Sequence, residues 1–408
     1  MDRVALNQMA VRIQTALSLD DEQYSRLESG FSFSFAIGAI LSGIIVDKVS
    51  VRWIYPLAVF GWSIAGVLTG YATGFWSLIA CRIMLGLFEA ANWPCGLRTT
   101  RAVLRNEERS LGNSLFQSGT AIGAVITPVL VLFLIRWADP NEPMRNATMA
   151  VTGGTYAAVA DAPTDTWKLP FRIIGFLGAG WVVLWFLTVP SRVLAPREEA
   201  AAQAGAVRYR DIFRDRRFWA ILGLVIAVNV SWHTYRAWLP KYLQQKRGFS
   251  EAEMTSLTTF FYLLADIGSW TVGGATLLLV RWRKWNGHTT RIFMLAVCSA
   301  LALIAVIVPF AERGWPLTFA ILLFAFASLG LFPTYYALTQ EVSAKHQGKV
   351  SGTFGCCAHL FLSLIVYPIQ GRMVKETGSY DEMLAAAGVF PLIALAIILW
   401  LWPKSSND

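Results

Sequence analysis

What most constrains this chain is its punctuation: eleven apolar runs of roughly twenty residues, parted by short polar stretches. They lie at about 29–46, 53–72, 75–95, 111–137, 171–189, 218–239, 254–280, 292–310, 315–338, 350–369 and 383–402. At ~1.5 Å per residue, a run of that length crosses the ~30 Å hydrocarbon core of a bilayer. Backbone groups there have no water to bond, so each run must satisfy its own and becomes a helix. Charged residues are only 15% of the chain and hydrophobic ones 55%, whereas soluble domains carry about 25% charged residues. These features predict an all-α polytopic membrane protein. A shorter apolar stretch opens the chain, from Met1 to about residue 16. It reads as the second half of a membrane helix, so the first helix is expected to be N-terminally truncated, with its missing start upstream of Met1.

A hydrophilic stretch rich in Ala, Arg and Glu, residues 190–217, divides the runs into six and six, counting the shorter opening stretch. The expected organisation is a six-helix bundle at 1–189, a cytoplasmic linker at 190–217 and a second six-helix bundle at 218–408. Such a duplication suggests a transporter with its site near the midplane. The net charge of +9 does not point to nucleic acid, because the basic residues fall in short loops between runs. With the linker and both termini cytoplasmic, the cytoplasmic segments hold 20 of the 35 Lys and Arg and the outer ones 12, as the positive-inside rule requires. Residues near Ala201 are then cytoplasmic, and those near Thr152 are outside. The sequon Asn146-Ala-Thr148 in the longest outer loop is read as unmodified. The five cysteines sit in or at the end of apolar runs without metal-ligand spacing, so neither disulfides nor zinc are expected. No cofactor is expected. The absence of a Walker motif, a phosphate loop or a hydrolase constellation argues against an ATP-driven pump and a membrane enzyme.

Charges inside the runs are the functional clue. Each costs on the order of 2.5–3.5 kcal/mol at a helix centre, and intramembrane ionisable groups mostly serve transport. In Arg82-Ile-Met-Leu-Gly86-Leu-Phe-Glu89, the arginine and the glutamate are two turns apart on one helical face, with Gly86 between them. We expect Arg82 to pair with Glu89 and Asp2. A purely structural ion pair is the plainer alternative. Depth counted along the runs puts Phe35, Asn229, Asp266 and His359 near the midplane. Asp266 is a candidate proton carrier, His359 a candidate substrate contact or packed histidine. Asn229 and Gln117 suit sugar hydroxyls or helix joining. Trp232, Tyr235 and Trp238 surround Arg236, as aromatic rings do in sugar sites or at membrane interfaces. A carboxylate ligand needs fixed positive charge, and the arginines well inside the runs are Arg3, Arg82 and Arg236. If Arg82 is occupied, Arg3 and Arg236 remain for the substrate, unless Arg236 snorkels to the surface.

Gly43-Ile-Ile-Val-Asp47-Lys48, followed by Arg52, resembles the loop motif of the major facilitator superfamily, with Ser50-Val51 where Gly-Arg is usual. The resemblance implies a conformational gate at Asp47, Lys48 and Arg52. The corresponding stretch of the second half, 274–283, lacks the Asp. Asp2-Arg3, Arg82-x-x-x-Gly86-x-x-Glu89-Ala90, Glu108-Arg109-Ser110, Trp238-Leu239-Pro240 and His346-Gln-Gly-Lys349-Val-Ser-Gly352 together resemble the anion:cation symporter family. Arg236-x-Trp238-Leu-Pro240 and Ala265-Asp266-Ile-Gly268 resemble its hexuronate and sugar-acid branch. That likeness implies anion binding and proton coupling at Asp2, Arg3 and Glu89. Phe35 stands where the family usually has Tyr, so one hydroxyl is lost. The expected function is import of a carboxylated sugar by proton symport and alternating access, in a cytoplasmic membrane, by a monomer without nucleic-acid partners. Symport of another organic anion, and a non-transporting nutrient sensor of the same fold, stay open.

Overall fold

Helices follow the apolar runs along the chain. The computed structural model describes residues 1–103, 109–139, 165–189, 213–342 and 347–402. All regular structure among them is helical. The elements are α1 (Asp2–Gln8), α2 (Ala10–Leu17), α3 (Asp21–Lys48), α4 (Val51–Thr69), α5 (Phe75–Glu89), α6 (Asn92–Val103), α7 (Arg109–Ala138) and α8 (Lys168–Thr188). After these come α9 (Arg216–Lys241), α10 (Glu251–Arg283), α11 (Gly287–Ala302), α12 (Trp315–Val342), α13 (Gln347–Phe361), α14 (Tyr367–Thr377) and α15 (Asp381–Leu401). Among the described residues, ten helical segments are long and apolar enough to span a bilayer. Large apolar side chains such as Trp76, Leu187, Phe310, Trp315 and Trp400 point outward. In water such a surface would drive association, whereas lipid tails are as apolar as it is. Residues 190–212 of the linker, the Thr152 and Ala201 positions, the Asn146 sequon, Glu108 and His346 lie outside the described residues, and α9 begins at Arg216, inside the expected linker.

Two corrections to the runs have local causes. The run at 75–95 is not one helix, because α5 stops at Glu89 and α6 starts at Asn92. Pro94 has no N–H to offer the Ala90 carbonyl, and its ring would press on that carbonyl in a continuous helix. The Ser42 hydroxyl donates to the Ala90 carbonyl instead, at 3.5 Å. The opening stretch likewise breaks at Met9, into α1 and α2. α3 begins cleanly: the Asp20 carboxylate accepts from the Gln23 N–H at 2.7 Å, and the Gln23 side chain accepts from the Asp20 N–H at 3.0 Å. This reciprocal cap satisfies two otherwise orphaned donors.

The chain forms two compact units. The first comprises Met1–Pro196, Pro240–Thr259 and Leu362–Gly378, and the second Arg197–Leu239, Phe260–Phe361 and Ser379–Asp408. In the first, α3 packs on α5 through glycine. A Cβ added at Gly86 would run into the Ser34 hydroxyl and the Phe31 carbonyl and lie 3.0 Å from the Phe35 nitrogen. In the second, α9 supplies Phe218, Ile221, Leu224 and Val228 to a core closed by Leu295, Leu331, Phe354 and Ile398. Phe218 and Phe354 stack there at 4.9 Å.

The Gly86 contact is with backbone, which cannot swing aside. Gly86→Ala should therefore destabilise the first unit by about 1–3 kcal/mol, the usual cost of overpacking. Gly43→Ala, where an added Cβ meets nothing within 4 Å, should be neutral or stabilising. Thermal melting of both variants in detergent checks the contrast. Equal melting temperatures would contradict it.

Candidate functional site

In the first unit, α1 delivers Asp2 and Arg3, α3 delivers Phe31 and Phe35, and α5 delivers Arg82 and Glu89. Arg3 Nη2 donates to Glu89 Oε1 at 2.6 Å, with 27% and 22% of the two side chains exposed. The partner of Glu89 is thus Arg3 and not Arg82, contrary to the pairing expected from their spacing. Seven helical residues separate Arg82 and Glu89 by about 10 Å along the axis, a long reach for one ion pair, whereas Arg3 arrives from another helix at the level of Glu89. The Arg3 guanidinium lies 5.0 Å from the Phe31 ring and 5.7 Å from the Phe35 ring. Arg82, only 2% exposed, lies 6.0 Å from the same Phe31 ring. An aromatic wall attracts a cation without neutralising it, and Phe31 serves both guanidiniums in this way. Phe35, expected to meet substrate, is in this structure part of the wall behind Arg3.

Asp2 occupies a notch that only glycine permits. A Cβ at Gly66 of α4 would stand 2.6 Å from Asp2 Oδ1. That oxygen is buried, and no described residue donates a hydrogen bond to it. Asp2, Arg3 and Glu89 therefore bring two carboxyls and a guanidinium into one part of the first unit, with Asp2 Oδ1 buried and the Arg3–Glu89 pair partly exposed.

The second unit holds a separate polar stripe. Asn229, Trp232, His233 and Arg236 recur at helical spacing on α9. Asn229 Nδ2 donates to the Val225 carbonyl at 2.8 Å, bonding back along its own helix. The Trp232 indole stacks on Phe261 at 5.6 Å and meets Tyr262 and Phe332 edge-on at 6.1 and 6.3 Å. Tyr235 stacks on Phe324 at 3.9 Å. Arg236 is only 6% exposed, so it does not snorkel, and its Nε donates to His233 Nδ1 at 3.1 Å. His359, on α13, meets the His233 ring edge-on at 5.4 Å. Asp266, on α10, is partly exposed and forms no ion pair among the described residues. The side chains of Gln117, Asp47 and Lys48 lie outside the described residues. Arg52 donates to the Val189 carbonyl and lies 5.7 Å from the Phe186 ring. Arg98 donates to the Val46 carbonyl, one residue before Asp47.

Sequence reasoning missed a latch of charges in the first unit. Lys241 is fully buried, donates to Asp21 Oδ1 and lies 4.9 Å from the Tyr24 ring. Arg12 grips Glu251 with two parallel bonds of 2.8 and 2.5 Å, the strong two-pronged geometry. Lys375 meets Asp20 at 3.0 Å and Glu22 at 2.9 Å. Burial pushes the Asp20 carboxyl up, but the Gln23 N–H and Lys375 outweigh it and hold it below its usual range. In the sequence all of these were charges at run ends, indistinguishable from ordinary interfacial residues. His233 was missed for another reason: its partner Arg236 looked free to reach the surface.

Residues 1–365 match the family model described as Major Facilitator Superfamily. A probable sulfoacetate transporter of Cupriavidus necator is 24% identical, the alignment covering all of this chain and 91% of that protein. The hexuronate transporter of Escherichia coli K12 is 22% identical over 96% of this chain and 87% of its own length. The hexuronate transporter of Bacillus subtilis is 25% identical over 99% and 91%. Among solved structures, a bacterial homologue of the human lysosomal transporter Spinster, in an inward-facing, unoccupied conformation, superposes with a TM-score of 0.76 at 18% identity, over 98% of this chain and 93% of that one. The Escherichia coli fucose:proton symporter gives 0.63 at 17% identity, over 99% and 96%. These relatives are transporters, and with the family model spanning nearly the whole chain, this protein is a multi-pass membrane protein that belongs to the Major Facilitator Superfamily.

Proposed function

We propose that the protein is a proton-coupled importer of a carboxylated sugar, a hexuronate such as galacturonate or glucuronate, working by alternating access in the cytoplasmic membrane. The observation that carries this reading is the 2.6 Å pair between Arg3 and Glu89 beside the buried Oδ1 of Asp2. The Glu89 carboxylate offsets the charge of Arg3 and takes one of its N–H donors, so it competes with a second carboxylate. A proton on Glu89 removes that competitor, and Arg3 can then take the substrate's carboxylate with two parallel bonds. Loss of the proton restores the Glu89 pair and expels the anion. Proton and anion thus enter and leave together. Asp2, close to the same group, takes part in the proton exchange, and the carboxyls titrate as a set. Arg82 stabilises the negative charge of the cluster. In the second unit, Arg236 is the proposed second anion contact, with Asn229, Trp232 and His359 toward the sugar. Asp266 and the side chain of Gln117 keep the proton-carrying and hydroxyl-binding roles read from the sequence, and Asp47, Lys48 and Arg52 the gate.

We also propose the two-bundle organisation about a linker at 190–217, with both termini cytoplasmic and a monomer as the working unit. The names of the relatives, hexuronate and sulfoacetate transporters among them, support an organic anion. They favour import of another such anion as the second reading. Purified protein in proteoliposomes decides. We expect labelled galacturonate to accumulate when the outside is made acidic, and a protonophore to abolish the accumulation. Unlabelled glucuronate, galactonate and glucarate should compete to graded extents. Uptake that is indifferent to the proton gradient would overturn proton coupling, and competition by galactonate or glucarate alone would move the substrate to the second reading.

A further inference from the structure

We propose that His233 is a positioning residue that sets how Arg236 receives a carboxylate, an inference that rests on the proposed anion-binding role of Arg236. A guanidinium can grip a carboxylate with two bonds along either of two kinds of edge. One pairs Nε with an Nη, side-on, and the other uses Nη1 and Nη2, end-on. In this protein Nε donates to His233 Nδ1 at 3.1 Å. A committed Nε is not available to the side-on grip, and the bond to His233 fixes where the rest of the guanidinium stands.

The bond sets the imidazole as well. An Nδ1 that accepts carries no proton, so the neutral ring bears its hydrogen on Nε2. The ring cannot turn to escape this arrangement without disturbing its neighbour, because His359 packs edge-on against it at 5.4 Å and 69°. His233, Arg236 and His359 are 6%, 6% and 8% exposed. A guanidinium on a long flexible stem otherwise carries rotamer freedom that it would lose on meeting its ligand. His233 removes part of that freedom beforehand. Pre-organisation of this kind acts on affinity and leaves the later conformational steps alone.

The effect is read by exchange of labelled galacturonate across proteoliposomes that contain unlabelled galacturonate, an assay that needs no proton gradient. His233→Phe keeps a ring and removes the acceptor. It should raise KM by about tenfold or more with kcat within about twofold. His233→Asn places an amide oxygen close to the position of Nδ1 and should restore KM to within about threefold of the wild type. His233→Gln carries its oxygen one methylene farther out and should behave like Phe. The Asn–Gln contrast remains decisive if the Phe variant does not fold. Equal KM values for Asn and Gln, or a loss confined to kcat, would overturn the inference. Arg236→Lys separates the two layers. A raised KM in Arg236→Lys together with a normal KM in His233→Phe rejects the positioning role alone. A normal KM in Arg236→Lys rejects the anion role of Arg236 and the inference with it.

Discussion

Glu89→Gln is expected to abolish uphill accumulation of the sugar acid while leaving exchange of internal for external substrate intact. Gln has the shape of a protonated Glu and cannot lose the proton. In the wild type, the Glu89 carboxylate holds Arg3 at 2.6 Å, and anion release needs that carboxylate to return. Without it, Arg3 stays available to the substrate on both faces of the membrane, and the cycle can only exchange. One pH unit of gradient is worth about 1.36 kcal/mol per proton, or about tenfold accumulation for one coupled proton. That factor should disappear in the variant. Measurement of uptake and of exchange, with and without an acid exterior, tests this. Accumulation that survives the substitution would take Glu89 out of the coupling role.

How far the sequence revealed this site depended on what kind of signal each residue left. The membrane helices were legible because lipid imposes one rule, a long apolar run, and α3, α4, α8 and α10–α12 follow it. The break between α5 and α6 was legible in principle, since Pro94 cannot bond to Ala90, but hydropathy alone smoothed over it. The presence of Arg3, Arg82 and Glu89 in apolar surroundings drew attention to the region where the structure pairs Arg3 with Glu89. Their pairing was not legible. Periodicity relates residues on one helix and so offered Arg82 to Glu89, while the actual partner stands on α1. The notch at Gly66 that receives Asp2 was equally invisible, because it is a relation between α1 and α4. His233 shows the converse failure. Its spacing of three from Arg236 is a local signal that could have been read, but a lone histidine in an apolar helix carries a weak expectation, and the bond to Nε became evident only from the buried geometry.

Substitution of Arg3 by Lys should weaken substrate binding by roughly 1.5–3 kcal/mol, the scale of a lost hydrogen bond to a charged group. That corresponds to about a ten- to hundredfold rise in KM, at tenfold per 1.4 kcal/mol. Lysine keeps the positive charge and loses the planar two-pronged fork, so the change isolates geometry from charge. The difficulty is that Arg3 also pairs with Glu89, and a loss of affinity could arise from a disturbed Glu89 alone. The double variant resolves this. In a Glu89→Gln background the carboxylate partner is gone, and Arg3 has only the substrate to serve. If Arg3 binds the anion, Arg3→Lys must still raise the exchange KM by a comparable factor there. If Arg3 acts merely as the counter-ion of Glu89, the substitution should become silent in that background. A silent Arg3→Lys in the Glu89→Gln background would therefore reject Arg3 as the carboxylate site, even if the single variant is strongly impaired.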